Sequence, residues 1–175
     1  ADLSEPGFGV AVLNDGKYGH GVYRNEITLS LVRGPVYPDP FADEGHHRFT
    51  YSLLPHTGDW VQAGVVFEAF ALNSPLIAVP GVIDAGRIPS SWGFVETDGL
   101  PVALGALKPA EDGDGYIVRL ADVHGRGGRG SLLWLDQSFP LEWSPFQVLT
   151  LRLTRREGRW QMHPCDMLER TEHSA

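Results

Sequence analysis

Glycine and proline interrupt this chain too often for long regular elements to fit between them: 21 glycines and 13 prolines occur in 175 residues. Both residue types end helices and mark turns. Between them lie short apolar runs that alternate with period two: FGVAVLN at 8–14, EITLSLVR at 26–33, HRFTYSLLPH at 47–56, SWGFVETDG at 91–99 and SLLWLDQ at 131–137. Rich in β-branched and aromatic residues, each reads as a strand with one buried and one wetter face. The run PVALGALKPAEDGDGYIVRLADVHG at 101–125 reads as a hairpin, because its Asp-Gly pairs supply the positive φ of a tight turn. FQVLTLRLTRREGRW at 146–160 adds a strand and a turn at Gly158.

Seven or more such strands without βαβ alternation predict an all-β fold, an antiparallel β-sandwich with at most one short helix. The helix falls within GDWVQAGVVFEAFALN at 58–73, with Asp59 as its cap, although Gly64 and the Val65-Val66 pair leave a strand or irregular segment open. Residues 1–160 read as one sandwich domain. After Trp160 the alternation fades, and 161–175 read as a partly ordered C-terminal tail. The first residue is Ala, and ADLSEPGFG starts abruptly, as a larger polypeptide cut at a domain boundary would.

A net charge of −8 and the lack of a large basic cluster argue against nucleic-acid and membrane-surface partners. No uncharged apolar run reaches the length of a bilayer crossing, and the N-terminal residues lack the basic and apolar regions of a secretory signal. With Cys165 the sole cysteine, no intrachain disulfide forms, which fits a reducing compartment and a cytoplasmic location.

Metal and nucleophile chemistry find little footing. His46 and His47 are adjacent, so on a strand they point to opposite faces, and no His-x-His or His-x-x-x-His pair offers half a zinc site. The acids of EDGDG (Glu111, Asp112, Asp114) lack the spacing of a calcium loop and suit a hairpin turn. YPDPFADEGHH, with Asp39, Asp43 and Glu44, reads as a solvated loop stiffened by two prolines. No Gly-x-Ser-x-Gly elbow is present, and Gly7-Phe8-Gly9 lacks the rest of a dinucleotide fingerprint. Five tryptophans and five tyrosines fill a core or form a sugar-stacking platform, according to which rings lie outside. The loop NDGKYGHG at 14–21 carries more polar chemistry than a turn requires.

Taken in order, these strings resemble one family. GFGVAVLNDGKYGHGVYRNEITLSLVRGPVYPDPFADEGHHRFTYSLLPH is similar to the start of the C-terminal β domain of glycoside hydrolase family 38, the α-mannosidases. Asn14, Asp15, Lys17, Tyr18, Gly19, Arg33, Pro38, Asp39, Asp43, His47 and Tyr51 fall in matching places. The resemblance continues through Asn73 and Pro75, then Lys108, Glu111, Asp112, Arg119 and Gly125, and closes at SPFQVLTLRL. Departures are Gly16, His20 and Gly21 in the first loop, and Asp122 and Gln147, where Glu is common.

This resemblance implies the C-terminal domain of a retaining, zinc-dependent α-mannosidase. Its Asp nucleophile and zinc site would belong to an N-terminal catalytic domain of the same polypeptide, so this chain would hold no cofactor and be inactive alone. It would buttress that domain and contribute loop residues to a shared α-mannoside site, Lys17 first, then Asp15, Asn14 and Tyr18. Two other readings stay open: a free-standing carbohydrate-binding module, and a purely structural interaction domain.

Overall fold

A computed structural model describes residues 1–81, 91–98 and 102–171. Among them are twelve strands, all paired antiparallel, and one nine-residue helix. The all-β expectation therefore holds. The chain divides into two compact units, Ala1–Pro80 and Gly81–Ala175.

In the first unit, β1 (Asp2–Glu5), β2 (Phe8–Asn14) and β5 (Tyr51–Thr57) form a sheet in the order β1-β2-β5, while β3 (His20–Tyr23) and β4 (Glu26–Leu29) form a separate hairpin. Period-two alternation sorts β2 into two faces. Ala11 and Leu13 are buried with Val65 of the helix α1 (Val65–Asn73), and Ala69 and Leu72 pack around them. On the other face Phe8, Val10 and Val12, with Leu3, Ile27 and Leu53, line an open concavity of about 680 Å³. Asp59 does not cap α1, whose N-cap is Gly64 with φ 65°. Its carboxylate instead accepts from Val61 N (2.9 Å) and Gln62 N (2.7 Å), closing the turn before the helix. An Asp five residues upstream of a positive-φ glycine is too far back to reach the helix's own first turn.

The second unit is a two-layer sandwich. One layer has the order β10-β9-β6, from β6 (Val95–Asp98), β9 (Gly128–Trp134) and β10 (Gln137–Trp143). The other has the order β12-β11-β8-β7, from β7 (Val102–Pro109), β8 (Tyr116–Asp122), β11 (Val148–Arg156) and β12 (Arg159–Cys165). Pairs two apart put matched side chains on the inner faces: Val118 and Leu120, Leu132 and Trp134, Leu141 and Trp143, Leu151 and Leu153. Trp134 meets Trp160 edge-on at 5.4 Å and Tyr116 at 5.5 Å. Trp134 and Trp143 fill the core, with Phe139 and Trp160 packed against it, whereas Trp92, Phe94, Tyr116 and Phe146 are exposed. Glu157 and Gly158 both have positive φ (51° and 81°), the backbone of a two-residue hairpin turn between β11 and β12.

Polar side chains lock the loops of this sandwich. Asp122 is buried, and its carboxylate accepts from four backbone N–H groups: His124 (3.0 Å), Gly125 (2.9 Å), Gly127 (2.7 Å) and Phe146 (3.3 Å). Burial alone would push its pKa up, but these four donors outweigh that and hold it below the usual carboxylate value. Asp112 of the β7–β8 turn pairs with Arg152 at 2.8 Å, and Asp114 with Arg156.

Where the sequence reading begins a tail at Gln161, the structure continues β12 to Cys165. The signal was faint because β12 is an edge strand, which tolerates Pro164 and needs few apolar residues. Beyond it, Asp166 folds a turn by accepting from Leu168 N and Arg170 N, both at 2.9 Å. Glu169 is buried there, accepts from Glu111 N at 2.9 Å and pairs with Lys108 at 2.6 Å. Residues 172–175 of the expected tail, and Gly99 and Pro101 at strand ends, lie outside the described residues.

Candidate functional site

The polar loop after β2 is shaped by its first residue. Asn14 Oδ1 accepts from Gly16 N (3.0 Å) and Lys17 N (2.5 Å), an Asx-type turn that needs no help from the neighbouring strand. Gly16 adopts φ 151°, a region that side chains resist. Asn14 Nδ2 lies 3.1 Å from His20 Nε2, and Asn14 O accepts from Asn73 Nδ2 at 3.0 Å. Asp15 N donates to Thr50 O at 3.2 Å, and Ser30 N donates to Gly19 O at 2.8 Å. The loop is therefore tied to the residues that enter β5 and to those that leave β4.

Three segments meet as a result, 14–19, 30–34 and 39–50. Their shared surface is a concavity of about 220 Å³ lined by Lys17, Ser30, Arg33, Asp43 and His47 among others. Asp43 Oδ2 accepts from Gly34 N (2.7 Å) and Arg33 N (3.3 Å), while His47 Nε2 lies 2.8 Å from Asp43 O. The Lys17 ammonium sits 5.0 Å from the centroid of the Phe49 ring, within cation–π range. Hydrogen bonds from Thr50, its backbone first and then its hydroxyl, hold the Asp15 carboxyl below its usual value. Chemically, this is a shallow, solvent-facing group of donors and acceptors suited to hydroxyl-rich ligands.

Of the four residues singled out from sequence, Lys17 lines the concavity. Asn14 and Asp15 hold the loop. Tyr18 is 92 % exposed, and its carbonyl accepts from His20 N at 3.0 Å. In the sequence Arg33, Asp43 and His47 stand out only as parts of the family strings or of a solvated loop. Their pull toward Lys17 depends on chain reversals that local patterns do not encode. Among the described residues no group of three or more His, Cys, Asp or Glu is placed to hold a metal ion. Burial pushes the Cys165 thiol pKa up, the wrong direction for a nucleophile. Among the described residues no helix is long and apolar enough to cross a membrane.

Residues 1–41 match the family model "Glycosyl hydrolases family 38 C-terminal domain", and residues 101–174 match "Glycosyl hydrolases family 38 C-terminal beta sandwich domain". Alpha-mannosidase 2C1 of Homo sapiens is 37% identical over 179 residues, covering 87% of this chain. The chain belongs to glycosyl hydrolase family 38. Alpha-mannosidase G of Dictyostelium discoideum is 39% identical over 126 residues, covering 71% of this chain and 12% of that protein. The chain spans 17% of the human relative's length, so the family 38 proteins it matches are far longer. No solved structure matches it. Each family 38 model falls within one compact unit, and the one described as a beta sandwich lies within the two-layer unit. The Lys17 loop lies in the stretch matched by the other.

Proposed function

We propose that this chain is the C-terminal part of a retaining, zinc-dependent α-mannosidase, and that it contributes Lys17 to a sugar site completed by an N-terminal catalytic domain of the same polypeptide. Relatives named as α-mannosidases support the activity. Retention calls for two carboxylates about one glycosidic bond, a nucleophile and an acid–base. Both carboxylates, and the zinc, are assigned to the catalytic domain. This chain's task is to bind and orient.

The observation that carries the reading is the placement of Lys17. Its ammonium has three donors; the Asn14 turn fixes the Lys17 backbone N–H, and the ammonium lies beside the Phe49 ring at the concavity. Asp15, kept ionised, adds an acceptor in the same loop. The apolar face of Phe8, Val10, Val12 and Leu53 supports the buttressing role, since a surface of that kind suits a dock between domains. A single cysteine supports the cytoplasmic location that we include in the reading.

The test is Lys17→Ala in the full-length polypeptide, assayed on an α-mannoside. Loss of a charged donor to a sugar hydroxyl should lower kcat/KM roughly ten- to a hundredfold. Zinc content should stay at the wild-type level. Unchanged kinetics would remove Lys17 from the site and with it this chain's part in the chemistry.

A further inference from the structure

We propose that Asn73, the last residue of α1, is the positioning residue for Lys17, fixing the loop from across the unit; this rests on the reading of Lys17 as a sugar-binding side chain. One side-chain amide nitrogen makes both of the bonds involved. Asn73 Nδ2 donates to Ala69 O of its own helix (2.9 Å) and to Asn14 O (3.0 Å), a residue 59 positions away in sequence. The helix end is itself seated, because Ala69 and Leu72 pack on the cluster of Ala11, Leu13 and Val65. Asn14 relays the constraint: its carbonyl is held by Asn73 while its side chain holds Gly16 N and Lys17 N. Two hydrogen bonds in series thus separate a packed helix from the Lys17 backbone.

The residue type is what such a bridge demands. An Asn amide carries two N–H groups in one plane on a short stem, so it can span two carbonyls with little freedom. Asp has the same shape and no donor, and would set a carboxylate against two carbonyl oxygens. A cap that served only the helix would need no partner in β2. Asn73 is exposed, and Ala has the higher helix propensity, so Asn73→Ala should leave the thermal midpoint close to the wild-type value.

The experiment compares Asn73→Ala, Asn73→Asp, Lys17→Ala and the Asn73→Ala/Lys17→Ala double variant in the full-length polypeptide. It measures kcat and KM on an α-mannoside, together with hydrogen exchange of the segment 14–18. Loss of one positioning bond should lower kcat/KM about three- to tenfold in Asn73→Ala, with at least as large a loss in Asn73→Asp. The effect should vanish when Lys17 is already Ala, the non-additivity of residues that act through one another. Exchange at Gly16 and Lys17 should speed up in both Asn73 variants. Additive losses in the double variant, full activity in Asn73→Asp, or unchanged exchange would each overturn the proposal. If Lys17→Ala leaves kinetics untouched while exchange accelerates in Asn73→Ala, the sugar reading fails and the hold of Asn73 on the loop stands.

Discussion

The two compact units differ most in what they bury. Among the described residues, Gly81–Ala175 holds eleven buried apolar side chains, from Ala103 to Leu153, whereas Ala1–Pro80 holds three, Ala11, Leu13 and Val65. The poorer unit carries the polar concavity and the richer one carries the hydrogen-bonded loop locks. Binding loops draw on segments of low local stability, because a surface that must present unpaired donors cannot also bury them. In this chain the division is spatial: one unit supplies rigidity of its own, and the other presents Lys17 from a sheet with one apolar face open.

The largest expected effect is the loss of folding itself. Residues 81–175 expressed alone should give a cooperative thermal transition, because two matched layers enclose a contiguous core. Residues 1–80 alone should give none, since three buried side chains cannot offset the entropy of ordering eighty residues. Circular dichroism melts with one-dimensional NMR dispersion would decide this. A sharp transition from residues 1–80 would erase the contrast.

A graded version of the comparison uses single cavities. Leu153 is fully buried between the layers, so Leu153→Ala should cost about 2–5 kcal/mol. Val65→Ala, at the three-residue cluster beneath α1, should cost about 1–2 kcal/mol by the loss of two methyl-sized groups. Urea midpoints at constant m measure both. Equal costs would mean that the small cluster is as tightly enclosed as the sandwich.

The same asymmetry governs what the sequence could reveal. The hairpin at EDGDG and the turn at Gly158 were legible because positive φ has a residue signature. The β9–β10 hairpin was not, because its turn uses Leu135 at φ 57° and β10 contains Pro140, tolerated there because β10 is an edge strand. Strand ends near the site were overextended. Alternation extends EITLSLVR to Arg33 and starts the next strand at His47, whereas β4 stops at Leu29 and β5 starts at Tyr51. The intervening residues leave the ladder to build the concavity, despite their period-two pattern. Asn14 and Lys17 are visible as an overfurnished turn, but Asn73 acts through a contact 59 residues away, and Asp43 reaches back to Arg33 and Gly34 through a chain reversal that alternation does not signal.

A subtler test, read in the shape of a pH profile, asks whether the loop locks belong to the stability of the sandwich. Asp122→Asn preserves shape but replaces one acceptor oxygen with a donor, leaving Gly127 N and Phe146 N or His124 N and Gly125 N facing an NH2 group. A cost of about 1–3 kcal/mol at neutral pH follows from unsatisfied buried donors. Acid adds a second readout. Because the folded-state pKa of Asp122 lies below its unfolded value, its contribution is fully present above the unfolded pKa, near 4, and is lost as pH falls through the folded value. Glu169, lowered chiefly by its hydrogen bond from Lys108, behaves with the same sign. Wild-type stability should therefore decline below about pH 4. In Asp122→Asn that decline should be shallower, with the two curves converging at the acid end. Parallel curves from pH 7 to pH 3 would show that the Asp122 carboxylate adds no pH-dependent stability, and coincident curves that its four donors find other partners as readily, so that the locks do not distinguish this unit from the open one.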